Sequence, residues 1–151
     1  MAWSGDAGYS EPRGIDGWLL LPALVTIISP FLAGHTALQV IDVLRSSASL
    51  SSGRHVFLWG EILFNAALVF GWIIAIERLF RLKRSYPRLF VSLSVVSLAG
   101  AVLDMLIGWG LLGSAPDMSD YRDIARGVIS LMIWWPYMMQ SRRVRNTFVE
   151  Q

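Results

Sequence analysis

The chain alternates long apolar blocks with short polar or basic breaks, and the block lengths carry the first message. Residues 17–38, 56–80, 89–112 and 124–140 each form a largely apolar stretch. A hydrocarbon core of ~30 Å needs about 20 helical residues to cross it. The blocks therefore predict an all-α fold, an integral membrane antiparallel four-helix transmembrane bundle. The basic break Arg81-Leu82-Lys83-Arg84-Ser85-Tyr86-Pro87-Arg88 is a short turn with a helix-stopping proline, which makes the second and third helices antiparallel neighbours. Pro22 and Pro30 remove backbone donors from the first span and predict a kink near Pro30, with Ser29 placed to re-satisfy a freed carbonyl. Val40, Ile41, Val43 and Leu44 extend that helix until the Ser-rich run 46–52 ends it. Ser119 or Asp120 is the expected N-cap of the fourth helix, and Trp135-Pro136 the expected interruption within it.

Composition strengthens the membrane reading. Apolar residues make up 54% of the 151 positions, mean hydropathy is +0.51, and the seven Trp and four Tyr sit mostly near block ends, where amphipathic rings meet headgroups. Residues 1–13 are polar and carry Asp6 and Glu11, unlike a signal peptide, so they read as a flexible cytoplasmic N-terminus. Residues 14–141 form the transmembrane domain and 142–151 a basic cytoplasmic tail.

Charge then adds an orientation. Arg13, Arg78, Arg81, Lys83, Arg84, Arg88, Arg142, Arg143 and Arg145 fall on one side of four spans, against Arg45, Arg54, Arg122 and Arg126 on the other. The positive-inside bias puts both termini in the cytoplasm. It also marks Arg81, Lys83, Arg84, Arg88, Arg142, Arg143 and Arg145 as a lipid-facing basic set that attracts anionic headgroups, each contributing about 1 kcal/mol. Val144 and Phe148, four residues apart, suggest a short amphipathic turn lying on the membrane. With the charge distributed this way, the basic pI does not argue for nucleic acid.

Polar groups within spans are the candidates for function, because an ionised side chain at the bilayer centre costs roughly 2.5 to 3.5 kcal/mol or more. Counting about 1.5 Å per residue, Glu61 lies roughly 10 Å, Asp104 roughly 6 Å and Arg126 about 9 Å outward of the middle of their helices. The three share one outer layer, where two carboxylates and a guanidinium form an intramembrane polar cluster. Asn65, at i+4 from Glu61, is on the same face. Gly100, Asp104 and Gly108 share a face of the third helix, and Gly60, Ala67, Gly71 and Ala75 form a small face on the second, which reads as a helix contact or a dimer seam.

No cysteine is present, so thiolate catalysis, disulfides and Cys-based metal sites are excluded. His35 and His55 lie near outer helix ends without further ligand spacing, and neither a cofactor nor a metal site is read from them. No nucleophile, metal or phosphate motif is present, which points away from an enzyme.

The opening Gly14-Ile15-Asp16-Gly17-Trp18-Leu19-Leu20-Leu21-Pro22 and the ending Ser141-Arg142-Arg143-Val144-Arg145-Asn146-Thr147-Phe148 after Pro136-Tyr137 resemble the bacterial inner-membrane family called domain of unknown function 2569 (DUF2569). Arg126 ahead of the Trp-Pro-Tyr segment is similar to part of its pattern. The resemblance implies a small multi-pass protein of the bacterial inner membrane and carries over no catalytic residue. Two roles follow. One is an accessory or interaction protein, with the bilayer, anionic lipids and a homodimer or membrane-protein partner as its contacts. The other is a small transporter or proton-responsive element using Glu61 and Asp104 with Arg126.

Overall fold

The computed structural model describes residues 14, 15, 17–46, 51–113 and 115–150, leaving aside the side chains of 111 and 112. The expected N-terminal segment 1–13, Asp16 and residues 47–50 of the Ser-rich run lie outside the described residues. A 3-10 turn, Gly17–Leu19, leads into five helices: α1 (Leu20–Ser46), α2 (Ser52–Phe80), α3 (Tyr86–Leu112), α4 (Met118–Gln140) and the short α5 (Arg142–Thr147). The described residues contain no strand, only an isolated bridge between Lys83 and Glu150.

Three stretches are long and apolar enough to cross a membrane: Gly17–Ser46, Ser52–Phe80 and Tyr86–Gly110. No more than 28% of the most apolar window of each is buried inside the protein. Phe31, Leu63, Phe70 and Trp109 all stand exposed on these helices. An apolar surface of this extent on every side far exceeds what a protein in water tolerates, so the solvent of these helices is lipid. The chain is therefore a helical membrane protein. α4 does not join the three by composition, because Asp120, Arg122, Asp123 and Arg126 occupy its first turns.

The helices extend beyond the sequence expectation wherever a cap was misplaced. α2 starts four residues early, at a Ser51 cap whose Oγ accepts from the Arg54 N–H at 3.4 Å. α4 starts two or three residues early because its N-cap is Asp117, neither Ser119 nor Asp120, and it precedes the expected apolar span by six residues. The Asp117 carboxylate takes the backbone N–H groups of Ser119 at 2.7 Å and Asp120 at 3.1 Å, and the Asp120 carboxylate returns to the Asp117 N–H at 2.9 Å. This reciprocal capping box satisfies donors that no helical carbonyl reaches. Pro87 starts α3 instead of only stopping what precedes it, since its missing N–H is an orphan in a first turn anyway. Pro30 and Pro136 lie inside unbroken helices, so neither divides its element. Ser29 does bond a carbonyl, that of Val25 at 2.7 Å, whereas the carbonyl that Pro30 deprives of its donor is that of Thr26.

Two helix ends need the left-handed region. Gly113 closes α3 at φ 68°, its N–H bonded to Gly108 O. α2 closes with Lys83 N–H on Arg78 O at 3.0 Å and Leu82 N–H on Leu79 O at 3.1 Å, a Schellman arrangement that holds Leu82 at φ 49°. A side chain there costs roughly 1–2 kcal/mol. The bent turn turns the Leu82 carbonyl toward Glu150 N–H at 3.2 Å, while Arg84 N–H donates to Glu150 O at 2.9 Å.

Those bonds bring the C-terminal segment under the bundle. Val144 and Phe148 are 1% and 3% exposed, so the expected turn on the membrane surface is corrected: both are core residues of the protein. They close a cluster with Leu19, Leu79, Tyr86, Phe90 and Met138. The Tyr86 ring lies 4.7 Å from Phe148 and 6.1 Å from Phe90, centroid to centroid. Its hydroxyl meets Thr26 Oγ1 at 2.8 Å. Thr26 in turn donates to Pro22 O at 2.8 Å, so the Tyr86 hydroxyl is the donor of that pair. Thr147 Oγ1 accepts from Gly14 N–H at 3.0 Å. The basic end of the bundle is thereby sealed by its own tail.

In heat denaturation followed by helical circular dichroism in neutral micelles, Phe148→Ala should cost about 3–5 kcal/mol through the cavity it opens. Tyr86→Phe should cost only about 1 kcal/mol, because Thr26 keeps its bond to Pro22. Equal costs would contradict the packing described.

Candidate functional site

At the end opposite the tail the helices enclose space. α1 packs along α2, α2 along α3 and α3 along α4, with no comparable contact between α1 and α4. Between them lies a cavity of about 700 Å³. Each helix supplies one stripe at the 3.6-residue period: Val25, Ser29, Leu32 and Thr36 from α1, Phe57, Glu61, Asn65, Leu68 and Trp72 from α2, Ser94, Ser97, Ala101 and Asp104 from α3, Asp120, Asp123, Gly127 and Ser130 from α4. The α4 stripe places Asp120 and Asp123 on the cavity lining, Asp123 at its open edge with a side chain 65% exposed, while Met132, Ile133 and Trp135 stand exposed further along the helix.

Glycines set the helix separations around it. The Phe64 ring occupies the place where a side chain on Gly100 would stand. A Cβ on Gly71 would meet Leu93 Cδ2 at 2.6 Å, and one on Gly127 would meet Leu98 Cδ1 at 2.9 Å. Gly60 and Gly108 have nothing within 4 Å of such a Cβ. The two small faces read from the sequence thus divide. Gly71, buried Ala75 and Gly100 make helix contacts, while Gly60, which lines the cavity as Gly100 also does, has open space beside it.

The four residues of the expected polar cluster separate in a definite way. Glu61, Asn65 and Asp104 line the same cavity; Arg126 is not among its lining residues. Its Nη1 pairs with Asp123 Oδ1 at 3.1 Å, one turn back on α4, with the Arg126 side chain 72% exposed. It forms no ion pair with Glu61 or Asp104. The cause is the early start of α4, which brings Asp123 onto the helix at i−3 from Arg126 and turns the guanidinium outward. Asn65, 8% exposed, donates through Nδ2 to the Glu61 backbone carbonyl at 3.0 Å instead of to its carboxylate.

Two lining carboxylates were not expected from sequence, Asp120 and Asp123, since both fell in the polar segment ahead of the span expected from residue 124. The signal was present: Asp120, Asp123, Gly127 and Ser130 repeat at helical spacing. The cavity thus holds four carboxylates and no Lys, Arg or His among its described lining residues. Three of its hydroxyls agree with them in kind. Ser29 donates to Val25 O, Thr36 to Leu32 O at 3.2 Å and Ser94 to Phe90 O at 2.9 Å, so each has spent its only proton on its own helix. What these groups offer the cavity is lone pairs. The lining accepts hydrogen bonds far more than it donates them.

The remaining candidates lie elsewhere. His35 and His55 are both exposed, and His55 borders a separate recess beside Arg45 and Trp59. No group of three or more His, Cys, Asp or Glu among the described residues is placed to hold a metal ion. At the basic end Arg81 pairs with Glu77 at 3.2 Å, Arg84 Nε donates to Val149 O at 3.1 Å, and the Lys83 backbone bridges Glu150. Arg88, Arg142 and Arg145 are exposed, whereas Arg143 is half-buried with its guanidinium against Gly17.

Gly100→Ala should displace Phe64 and lower stability by about 1–3 kcal/mol, as overpacking does. Gly60→Ala, with open space around it, should be neutral or slightly stabilising in the same thermal measurement. A second expectation concerns Asp117, whose carboxyl is held below its ordinary 3.8 by the Ser119 hydroxyl first and then by the backbone N–H groups of Asp120 and Ser119. A depressed carboxyl stabilises the folded helix end above its ordinary pKa, and that contribution disappears as pH falls through the lowered value. Amide exchange at Ser119 and Asp120 should accelerate, relative to the middle of α4, only in that acid range. Asp117→Asn should remove this pH dependence.

Neither a curated protein nor a solved structure matches this chain. The family described as a protein of unknown function, DUF2569, matches over residues 12–149, which include both the sealed basic end and the acid-lined cavity, and the chain belongs to that family.

Proposed function

We propose that this protein binds a cation in the cavity between its four long helices, and that all four helices cross the bacterial inner membrane with both termini cytoplasmic. The observation that carries the reading is the composition of the described lining: four carboxylates, three hydroxyls that donate to their own helices, and no basic side chain. At an effective dielectric of about 20, a cation about 4 Å from one carboxylate gains roughly 4 kcal/mol before its own desolvation is counted. An anion meets the same field with opposite sign. Selection by charge is therefore built into the walls.

The fourth span is supported by length and facing. Its 23 residues cover about 34 Å at ~1.5 Å each, enough for a hydrocarbon core, and Asp120 and Asp123 line the cavity, with Asp123 paired to Arg126. The orientation is supported by the excess of Lys and Arg at the tail end. Cation binding is common to both roles the sequence leaves open. An accessory protein holds such a ligand, and a carrier moves it; the size of the cavity favours the carrier, because a packed interaction protein has no use for about 700 Å³ of acidic space.

The test is equilibrium binding to protein in zwitterionic nanodiscs, with sodium, tetramethylammonium and tetraphenylphosphonium as probes. At least one should bind saturably, and the double variant Glu61→Gln/Asp104→Asn should weaken it about 10-fold or more, equivalent to ~1.4 kcal/mol. If no probe binds in a way that depends on these carboxylates, the reading fails.

A further inference from the structure

We infer that the ligand of this cavity is an amphipathic organic cation, held with its charge among Glu61, Asp104, Asp120 and Asp123 and its apolar body toward Leu68 and Trp72. The inference rests on the cation-binding reading and names the class of ligand. Three features of the cavity argue for it together.

The first is the spacing of the acids. They line one cavity, yet no three of the described carboxylates or histidines converge closely enough to hold a metal ion. Inorganic cations are bound by oxygens at about 2.0 to 2.6 Å, six or more at a time for calcium. Dispersed carboxylates instead suit a larger, diffuse charge that meets several of them through space.

The second is the division of the cavity along the helix axes. All four carboxylates belong to the half remote from the tail, on the last turns of α3 and the first turns of α2 and α4. The half nearer the tail is lined by Val25, Leu68, Trp72 and serine hydroxyls, with no charge. From Glu61 to Trp72 along α2 is about 16 Å at ~1.5 Å per residue. Trp72 forms the floor, fixed edge-on against Phe90 with centroids 5.9 Å apart, and is only 4% exposed. A ligand that satisfies both halves carries one cationic end and an apolar or aromatic body. A small hydrated ion leaves the inner half unused.

The third is access. Leu32 and Leu103 line the cavity and are at the same time 63% and 56% exposed. The rim is therefore apolar side chain facing the surroundings of the helices. Where α1 and α4 lack the packing that joins the other neighbours, lipid-dissolved molecules reach the cavity without crossing a polar surface. Amphipathic cations concentrate in the bilayer interface, at the level where such a rim admits them.

The experiment compares dodecyltrimethylammonium with tetramethylammonium, which carries the same charge without the chain, on the wild-type protein in zwitterionic nanodiscs. Empty nanodiscs provide the partition blank. Burial of each methylene is worth about fourfold, so four or more buried methylenes give over 100-fold tighter binding of the long cation. Glu61→Gln/Asp104→Asn should reduce that binding about 10-fold or more, and the uncharged dodecyl maltoside should not displace it at equal concentration. The inference is overturned, with cation binding intact, if sodium or tetramethylammonium binds as tightly as the long cation and equally depends on Glu61 and Asp104. It is also overturned if dodecyltrimethylammonium binds the double variant as well as the wild type, since the chain alone then drives association. Absence of binding by every probe removes both the inference and the reading beneath it.

Discussion

The hydrogen bond from the Tyr86 hydroxyl to Thr26, with the Tyr86 ring against Phe148, ties three separate parts of the chain at one end of the bundle. Tyr86 begins α3, Thr26 is in the second turn of α1, and Phe148 follows α5. In lipid, helices gain little from burying one another's apolar faces, so close packing and interhelical hydrogen bonds must position them. This protein concentrates such contacts at its tail end. There a turn held open by Leu82, a sealed aromatic cluster and the backbone bonds of Glu150 fix the helices together. Held there, they need not touch everywhere else.

The cavity is the consequence at the opposite end. A glycine with no neighbour, such as Gly60, and one filled by a ring, such as Gly100 beneath Phe64, lie on the two facing helices. The first leaves room where the second removes it. Burying carboxylates in this room is costly against hydrocarbon and acceptable against water or a cation. Asp120 and Asp123 show how local structure lowers that cost: one returns a bond to the helix start, the other holds Arg126, and both still face the cavity.

The basic residues divide in the same manner. Arg81 and Arg84, though exposed, and half-buried Arg143 are engaged by the protein's own groups at the tail end, and Arg88, Arg142 and Arg145 stand exposed beside them. Arg84, through Val149 O, and Arg143, against Gly17, help to hold the C-terminal segment where it seals the bundle.

How much of this was legible in the sequence depends on the range of the physics. Hydropathy is a local sum, so the three long apolar helices, the extension of α1 through Val40 and the membrane as solvent follow from composition alone. Depth along a helix is likewise a count of residues, which is why Glu61 and Asp104 were expected in one layer and do line one cavity. The direction of a side chain about the helix axis is different, because it depends on where each helix begins and on what it packs against. The Asp117 cap started α4 ahead of the expected caps, placed Asp120 and Asp123 along the cavity and gave Arg126 a partner on its own helix. Burial of Val144 and Phe148 depended on contacts with Tyr86, more than fifty residues away, that no amphipathic spacing reveals. The sequence by itself determined that the chain belongs in a membrane and at which position along its helix each acid lies; the tertiary structure alone decided that Glu61, Asp104, Asp120 and Asp123 line one cavity, because which faces meet is set by packing between helices.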